Sequence, residues 1–214
     1  GIVLTADYLA KKHGVKTGMA LWQAKQVCPE LNFVSPRMDL YLRFSRMAHE
    51  IYGEYTDLQE PYGVDESWLD VTASSTLKGD GYKIAKEISN RMKSELGITV
   101  SIGVSFNKIF AKLGSDYKKP DAITTMYEDE FKNKAWALPA SDLLYVGRST
   151  SQKLARFGIK TIGELARTDE KLLVSQLGKM GGILWAFANG YDDSPVKMEH
   201  THAPIKSIGN STTT

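Results

Sequence analysis

Tyr62-Gly63-Val64-Asp65-Glu66-Ser67-Trp68-Leu69-Asp70-Val71-Thr72 sets two adjacent acids among apolar residues. Val64, Trp68, Leu69 and Val71 favour burial, whereas Asp65 and Glu66 favour water or a cation. Neighbouring carboxylates repel, and lodging them beside apolar side chains is costly unless positive charge sits there. Carboxylate oxygens suit Mg²⁺ or Mn²⁺. Alone the pair is weak evidence, because most such dipeptides are solvated turns. Flanking strands strengthen it. Phosphoryl transfer on two metal ions, roughly 3.5–4 Å apart, draws carboxylates from neighbouring strands; two are visible here. Asp70, further along, reads as a structural hydrogen-bond acceptor.

Outward from this stretch, residues 57–63 and 67–72 read as two strands with the acids at their turn. A long helix precedes them, from about Asp39 to Tyr55, with Leu40, Phe44, Met47 and Ile51 at helical spacing. Residues 74–80 read as a polar loop, 81–96 as an amphipathic helix closed by Gly97, and Thr99–Ser105 as a β-branched strand. Asn107 caps a helix over 108–117, and Ala122–Met126 reads as an edge strand. This order predicts an α+β fold, a small antiparallel or mixed sheet with helices on one face. On the N-terminal side, short helices over 6–13 and 18–28 form a small basic unit ending near Pro36. From Glu128 the chain reads as short helices punctuated by Gly147, Gly158, Gly163 and Gly178–Gly182. Residues 191–205 read as a linker.

Three further constellations carry charge. Thr5, Tyr8 and Lys11 fall within a turn or two of a helix start and suit a triphosphate, or simply an amphipathic helix. Lys108 and Lys112 share one face just inside the helix capped by Asn107; a helix N-terminus with lysine beside it attracts phosphate, and a solvated basic face is the alternative. In Val146-Gly147-Arg148-Ser149-Thr150 and the residues that follow, Arg148, Lys153, Arg156 and Lys160 are interrupted by no acid. A glycine turn baring backbone N–H groups beside such charges suits a DNA backbone. The helix–hairpin–helix pattern is legible there, although Arg148 and Ser149 replace its second glycine. His200 and His202 read as solvated.

The totals narrow the class. The chain has 214 residues, 42% hydrophobic and 24% charged, with a formal net charge of +2. That is an ordinary globular balance, too mildly basic by itself to announce nucleic acid. No apolar run reaches the roughly 20 residues of a membrane helix, and no signal-peptide pattern opens the chain. Cys28 is the single cysteine, which suits a reducing cytoplasm; it reads as a small buried residue. Gly1–Thr5 looks like a strand already under way and Lys206–Thr214 like one beginning, so a piece of a longer protein is expected.

Together these stretches resemble the Y-family of DNA polymerases, the translesion enzymes, and most closely the bacterial UmuC/DinB branch. Tyr62–Thr72 is similar to its palm motif, Ser101–Asp121 to the segment around its triphosphate lysine, Thr5–Met19 to its fingers, Val146–Leu165 to its thumb, and Lys206–Asn210 to the start of its little finger. The resemblance implies partial fingers over 1–36, a palm over 37–126, an all-α helix–hairpin–helix thumb over 127–193, and a linker over 194–214. It implies template-directed, damage-tolerant addition of dNTP to a primer 3′-OH on primer–template DNA, with two Mg²⁺ ions. Asp65 and Glu66 would be catalytic metal-binding carboxylates; Thr5, Tyr8, Lys11 and Lys112 would contact the triphosphate; Gly147, Arg148, Lys153 and Arg156 would contact DNA. A sliding clamp is an implied partner. Lys11 stands where arginine is usual, turning a bidentate grip into a point charge, and Asp7 stands where asparagine is usual. The family's first catalytic aspartate and aromatic steric gate would precede residue 1, and its little finger would follow residue 214. The chain as given is therefore expected not to polymerise. A nucleotidyl cyclase with a related palm and a non-catalytic DNA-binding module are the rival readings.

Overall fold

The computed structural model describes residues 1–198 and 207–209. His200, His202 and most of the strand expected from Lys206 onward lie outside the described residues. The chain divides into two compact units, Gly1–Arg43 and Phe44–Thr214.

In the first unit, α1 (Tyr8–Lys12) and α2 (Leu21–Val27) enclose a small core of Val3, Ala10, Val15 and Ala24. Asp7 caps α1 by accepting from the Ala10 N–H at 2.7 Å. The strand expected at the start reduces to a single bridge between Ile2 and Ala20. Cys28 is only half-buried, against the edge of this core. The boundary with the second unit falls inside α3 (Met38–Gly53).

The second unit begins with the rest of α3. Its Ala48 and Ile51, with Tyr55, meet Ile84, Ile88 and Met92 of α5 (Gly81–Leu96) in one core. Between them come β1 (Gln59–Pro61) and β2 (Ser67–Leu69), an antiparallel hairpin with Glu60 opposite Trp68. The short helix α4 (Ser75–Lys78) replaces the expected polar loop. Asp80 caps α5 through the Lys83 N–H at 2.8 Å, and Gly97 ends it at φ +69°.

The remaining strands depart from the expected single sheet. β3 (Ile102–Ser105) and β4 (Ile123–Met126) pair with each other in parallel, and among the described residues neither pairs with the hairpin. A parallel pair needs a crossover, and α6 (Lys108–Tyr117) supplies it. Gly103 and Gly114 let helix and strand approach closely. A Cβ on Gly114 would stand 3.0 Å from the Gly103 Cα, and one on Gly103 would strike the Ala111 carbonyl of α6.

The C-terminal helices follow as α7 (Phe131–Ala135), a 3-10 turn (Ala140–Asp142), α8 (Arg148–Arg156), α9 (Ile162–Arg167), α10 (Glu170–Leu177) and α11 (Lys179–Ala188). Their core is continuous with α6: the Phe110 and Phe131 rings lie 4.7 Å apart, and the cluster runs on to Leu154, Leu165 and Leu184. The segment expected as a linker turns back toward the hairpin. The Asn107 amide donates to the Gly190 carbonyl at 2.9 Å, and the Lys197 N–H donates to Glu60 at 3.0 Å.

Candidate functional site

The hairpin turn places Asp65 and Glu66 side by side at its tip. The Tyr62 N–H donates to the Glu66 carbonyl at 2.8 Å and closes the turn. Asp65 is exposed, Glu66 is half-buried, and Val64 is itself exposed. The acids are therefore not wedged among apolar side chains, as the sequence suggested. Val64 is exposed, Leu69 packs against the core around Tyr55 and Ile84, and Trp68 lies against Tyr62 and the start of α6. Asp70 behaves as expected, accepting from the Thr72 N–H at 3.0 Å.

The positive charge beside Glu66 comes from α6. The Lys112 ammonium donates to Glu66 Oε1 at 2.9 Å and to Asp116 Oδ2 at 2.7 Å. Burial opposes its charge, but the hydrogen bonds to Asp116 and Glu66 outweigh this and raise the Lys112 pKa. Asp116 is held below the usual carboxylate range: burial pushes it up, and Lys112 and Lys119 more than reverse that. Both anionic partners escaped the sequence reading. Asp116 had a signal, a carboxylate four residues along the same helix face. The Glu66 contact crosses 46 residues and had none.

Lys108, one turn earlier, is engaged as well. It pairs with Glu60 at 2.8 Å. Its ammonium lies 4.8 Å over the Trp68 ring, whose indole N–H donates to the Lys108 carbonyl at 3.0 Å. Lys108 thus fixes the hairpin to α6, while Lys112 stands beside the acids.

Asp65 has no ion pair or side-chain hydrogen bond among the described residues, and Glu66 leaves its second carboxylate oxygen without a partner there. Such hard oxygen donors fit Mg²⁺ in chemistry, since that ion is commonly held by one or two carboxylates with water and phosphate completing its shell. In number they are fewer than a protein-built site: among the described residues no group of three His, Cys, Asp or Glu could hold a metal.

In the first unit, Thr5, Tyr8 and Lys11 are all exposed, and the Lys11 ammonium lies 5.1 Å over the Tyr8 ring. Asp7, which stands where asparagine is usual in the family the chain resembles, spends one oxygen capping α1. In the second unit, Gly147 is the N-cap of α8 and has no side-chain cap. Its φ of −75° is one any residue adopts, whereas Tyr145 takes the left-handed φ of 70° in the same turn. Arg148, Lys153, Arg156 and Lys160 are exposed, without an ion pair among the described residues. Arg148 and Arg156 stand two turns apart on α8, and Lys153 lies one turn before Arg156.

With this geometry in place, comparison with known proteins is specific. The model of the impB/mucB/samB family matches residues 1–116. The DNA polymerase IV of Acetivibrio thermocellus is 57% identical over 213 residues, covering 100% of this chain and 53% of that protein. The DNA polymerase IV 1 of Bacillus subtilis is 43% identical, covering 100% and 51%. Among solved structures, DinB from Sulfolobus solfataricus superposes with a TM-score of 0.82 at 29% identity, covering 92% of this chain and 58% of that one. The insertion ternary complex of Dbh DNA polymerase gives the same values. The chain spans about half the length of the curated relatives it matches.

Proposed function

The chain belongs to the impB/mucB/samB family, and from that premise we propose that it is the fingers, palm and thumb portion of a damage-tolerant, template-directed DNA polymerase. The observation that carries the reading is the 2.9 Å contact between Glu66 and Lys112, which puts an ammonium beside one of the two adjacent carboxylates. Asp65 and Glu66 would hold Mg²⁺, whose contribution there would be to offset the negative charge of a triphosphate during transfer. Lys112 would neutralise the triphosphate. Thr5, Tyr8 and Lys11 of the first unit are proposed as further triphosphate contacts, with Lys11 acting as a point charge. Gly147, Arg148, Lys153 and Arg156 would hold the primer–template backbone. Fingers would cover 1–36, palm 37–126 and thumb 127–193, with 194–214 leading onward. A sliding clamp as partner and a cytoplasmic site of action complete the proposal.

Primer extension tests it, in a version of the protein carried to the full length of its relatives. Asp65→Ala and Glu66→Gln should each abolish dNTP addition and leave DNA affinity nearly unchanged. The 214-residue chain alone should not extend a primer. A full-length protein that binds primer–template DNA but adds no nucleotide, and is unaffected by Asp65→Ala, would favour a non-catalytic DNA-binding module. Turnover of ATP or GTP without DNA would favour a cyclase.

A further inference from the structure

The Lys112 ammonium has two anionic neighbours, and only Glu66 belongs to the carboxylate pair proposed to receive a metal. Asp116, 2.7 Å away, sits one turn further along α6 and also holds Lys119 at 2.6 Å. The Lys112 side chain is 17% exposed. An ammonium so enclosed is costly to leave without an anion. If Glu66 were its only partner, a dication could take that carboxylate only by stranding Lys112. The two cations would then compete for one group.

Asp116 removes that competition. We propose that Asp116 is the positioning residue of the site: it keeps Lys112 in place on α6 while Glu66 changes partner from Lys112 to the metal ion, so that dication and ammonium occupy the site together. This rests on the metal-site reading given above. The bond to Asp116 lies within one helix and is independent of the hairpin. Turning Glu66 toward a metal therefore leaves it intact. Lys119 fastens Asp116 from the C-terminal side, so the carboxylate does not swing out to follow the dication.

A double-mutant cycle on Mn²⁺ binding, read by electron paramagnetic resonance on the protein carried to the full length of its relatives, tests the proposal. Asp116→Asn should weaken Mn²⁺ binding roughly three- to tenfold, because Lys112 is then tied to Glu66 alone. In a Lys112→Gln background the same change should have no effect, and Asp116→Glu should restore the native affinity. Equal weakening in both backgrounds would reduce Asp116 to a distant negative charge and overturn the proposal, as would no weakening in the native background. Mn²⁺ binding that ignores Glu66→Gln in both backgrounds would instead overturn the metal-site reading, and the proposal with it.

Discussion

Trp68 and Lys108 hold each other twice: the indole N–H donates to the Lys108 carbonyl at 3.0 Å, and the Lys108 ammonium lies 4.8 Å over the same ring. The first contact fixes where the hairpin meets the start of α6. The second orients the ammonium toward Glu60. Trp68→Phe keeps a ring beneath the ammonium and removes the N–H. One buried hydrogen bond is worth about 1 kcal/mol, so urea unfolding should show a loss of about 1–2 kcal/mol. Unchanged stability would mean that the carbonyl finds water instead.

Glu60 gives the same joint a pH dependence. Burial pushes its carboxyl up, but the Lys108 ammonium and the Lys197 N–H together hold it below the ordinary glutamate value. A depressed folded pKa contributes stability that is fully present above the unfolded value of about 4.3 and is lost as pH falls through the folded one. Glu60→Gln should cost about 1–3 kcal/mol at pH 7, since it leaves a largely buried ammonium unmatched. The gap between the two proteins should narrow once the pH falls below about 4.3 and close as it passes the lower folded value. Denaturant midpoints measured from pH 3 to pH 8 check this; parallel profiles would contradict it.

Local chemistry was legible in the sequence. The helix at 108–117 was announced by Asn107, a cap that the structure uses, and the helix at 81–96 by its apolar stripe and by Gly97, whereas the Asp80 cap was read as the end of a loop. The hairpin was read as two strands with the acids at their turn, though its strands are shorter than the expected 57–63 and 67–72. Contacts across the chain were not. Glu66 meets Lys112, and Glu60 meets Lys108, only because the hairpin is laid against α6, and neither residue's local pattern encodes that placement. The acids looked uncomfortable because apolar neighbours in sequence were taken for neighbours in space. Val64 and Asp65 both face outward at a turn. The pairing of β3 with β4 was hidden for a related reason: a short strand shows its faces but not its partner. Gly103 and Gly114 were the signal, and they matter only once α6 is known to cross β3.

That crossing yields a sharp contrast between glycines. A Cβ at Gly103 would strike the Ala111 carbonyl and come within 2.6 Å of the Ser115 nitrogen, both backbone atoms of α6. Gly103→Ala should therefore cost at least the 1–3 kcal/mol typical of overpacking. Gly147 has no atom within 4 Å of its would-be Cβ and has a φ open to any residue. Gly147→Ala should cost only about 0.5–1 kcal/mol, the preference of an N-cap position for glycine over alanine. Thermal or urea unfolding of both variants decides this. A costly Gly147→Ala would show that the turn before α8 is constrained by something other than space and φ.

The same turn makes a prediction about salt. Arg148, Lys153 and Arg156 are exposed and without ion pairs among the described residues, so neutralising a phosphate would not require breaking an internal contact. The energy of such contacts comes largely from counterion release, which is blind to base sequence. Arg148→Ala and Lys153→Ala should each weaken DNA binding by a similar factor on unrelated duplexes. Each should also make the plot of log affinity against log salt shallower by about one unit. Fluorescence anisotropy at several NaCl concentrations measures both quantities. A loss confined to one duplex would point to base contacts, and an unchanged slope would remove these side chains from the phosphate interface. Lys108→Ala is the control: its ammonium is already matched by Glu60 at 2.8 Å, so it should lower stability and leave the salt slope where it was.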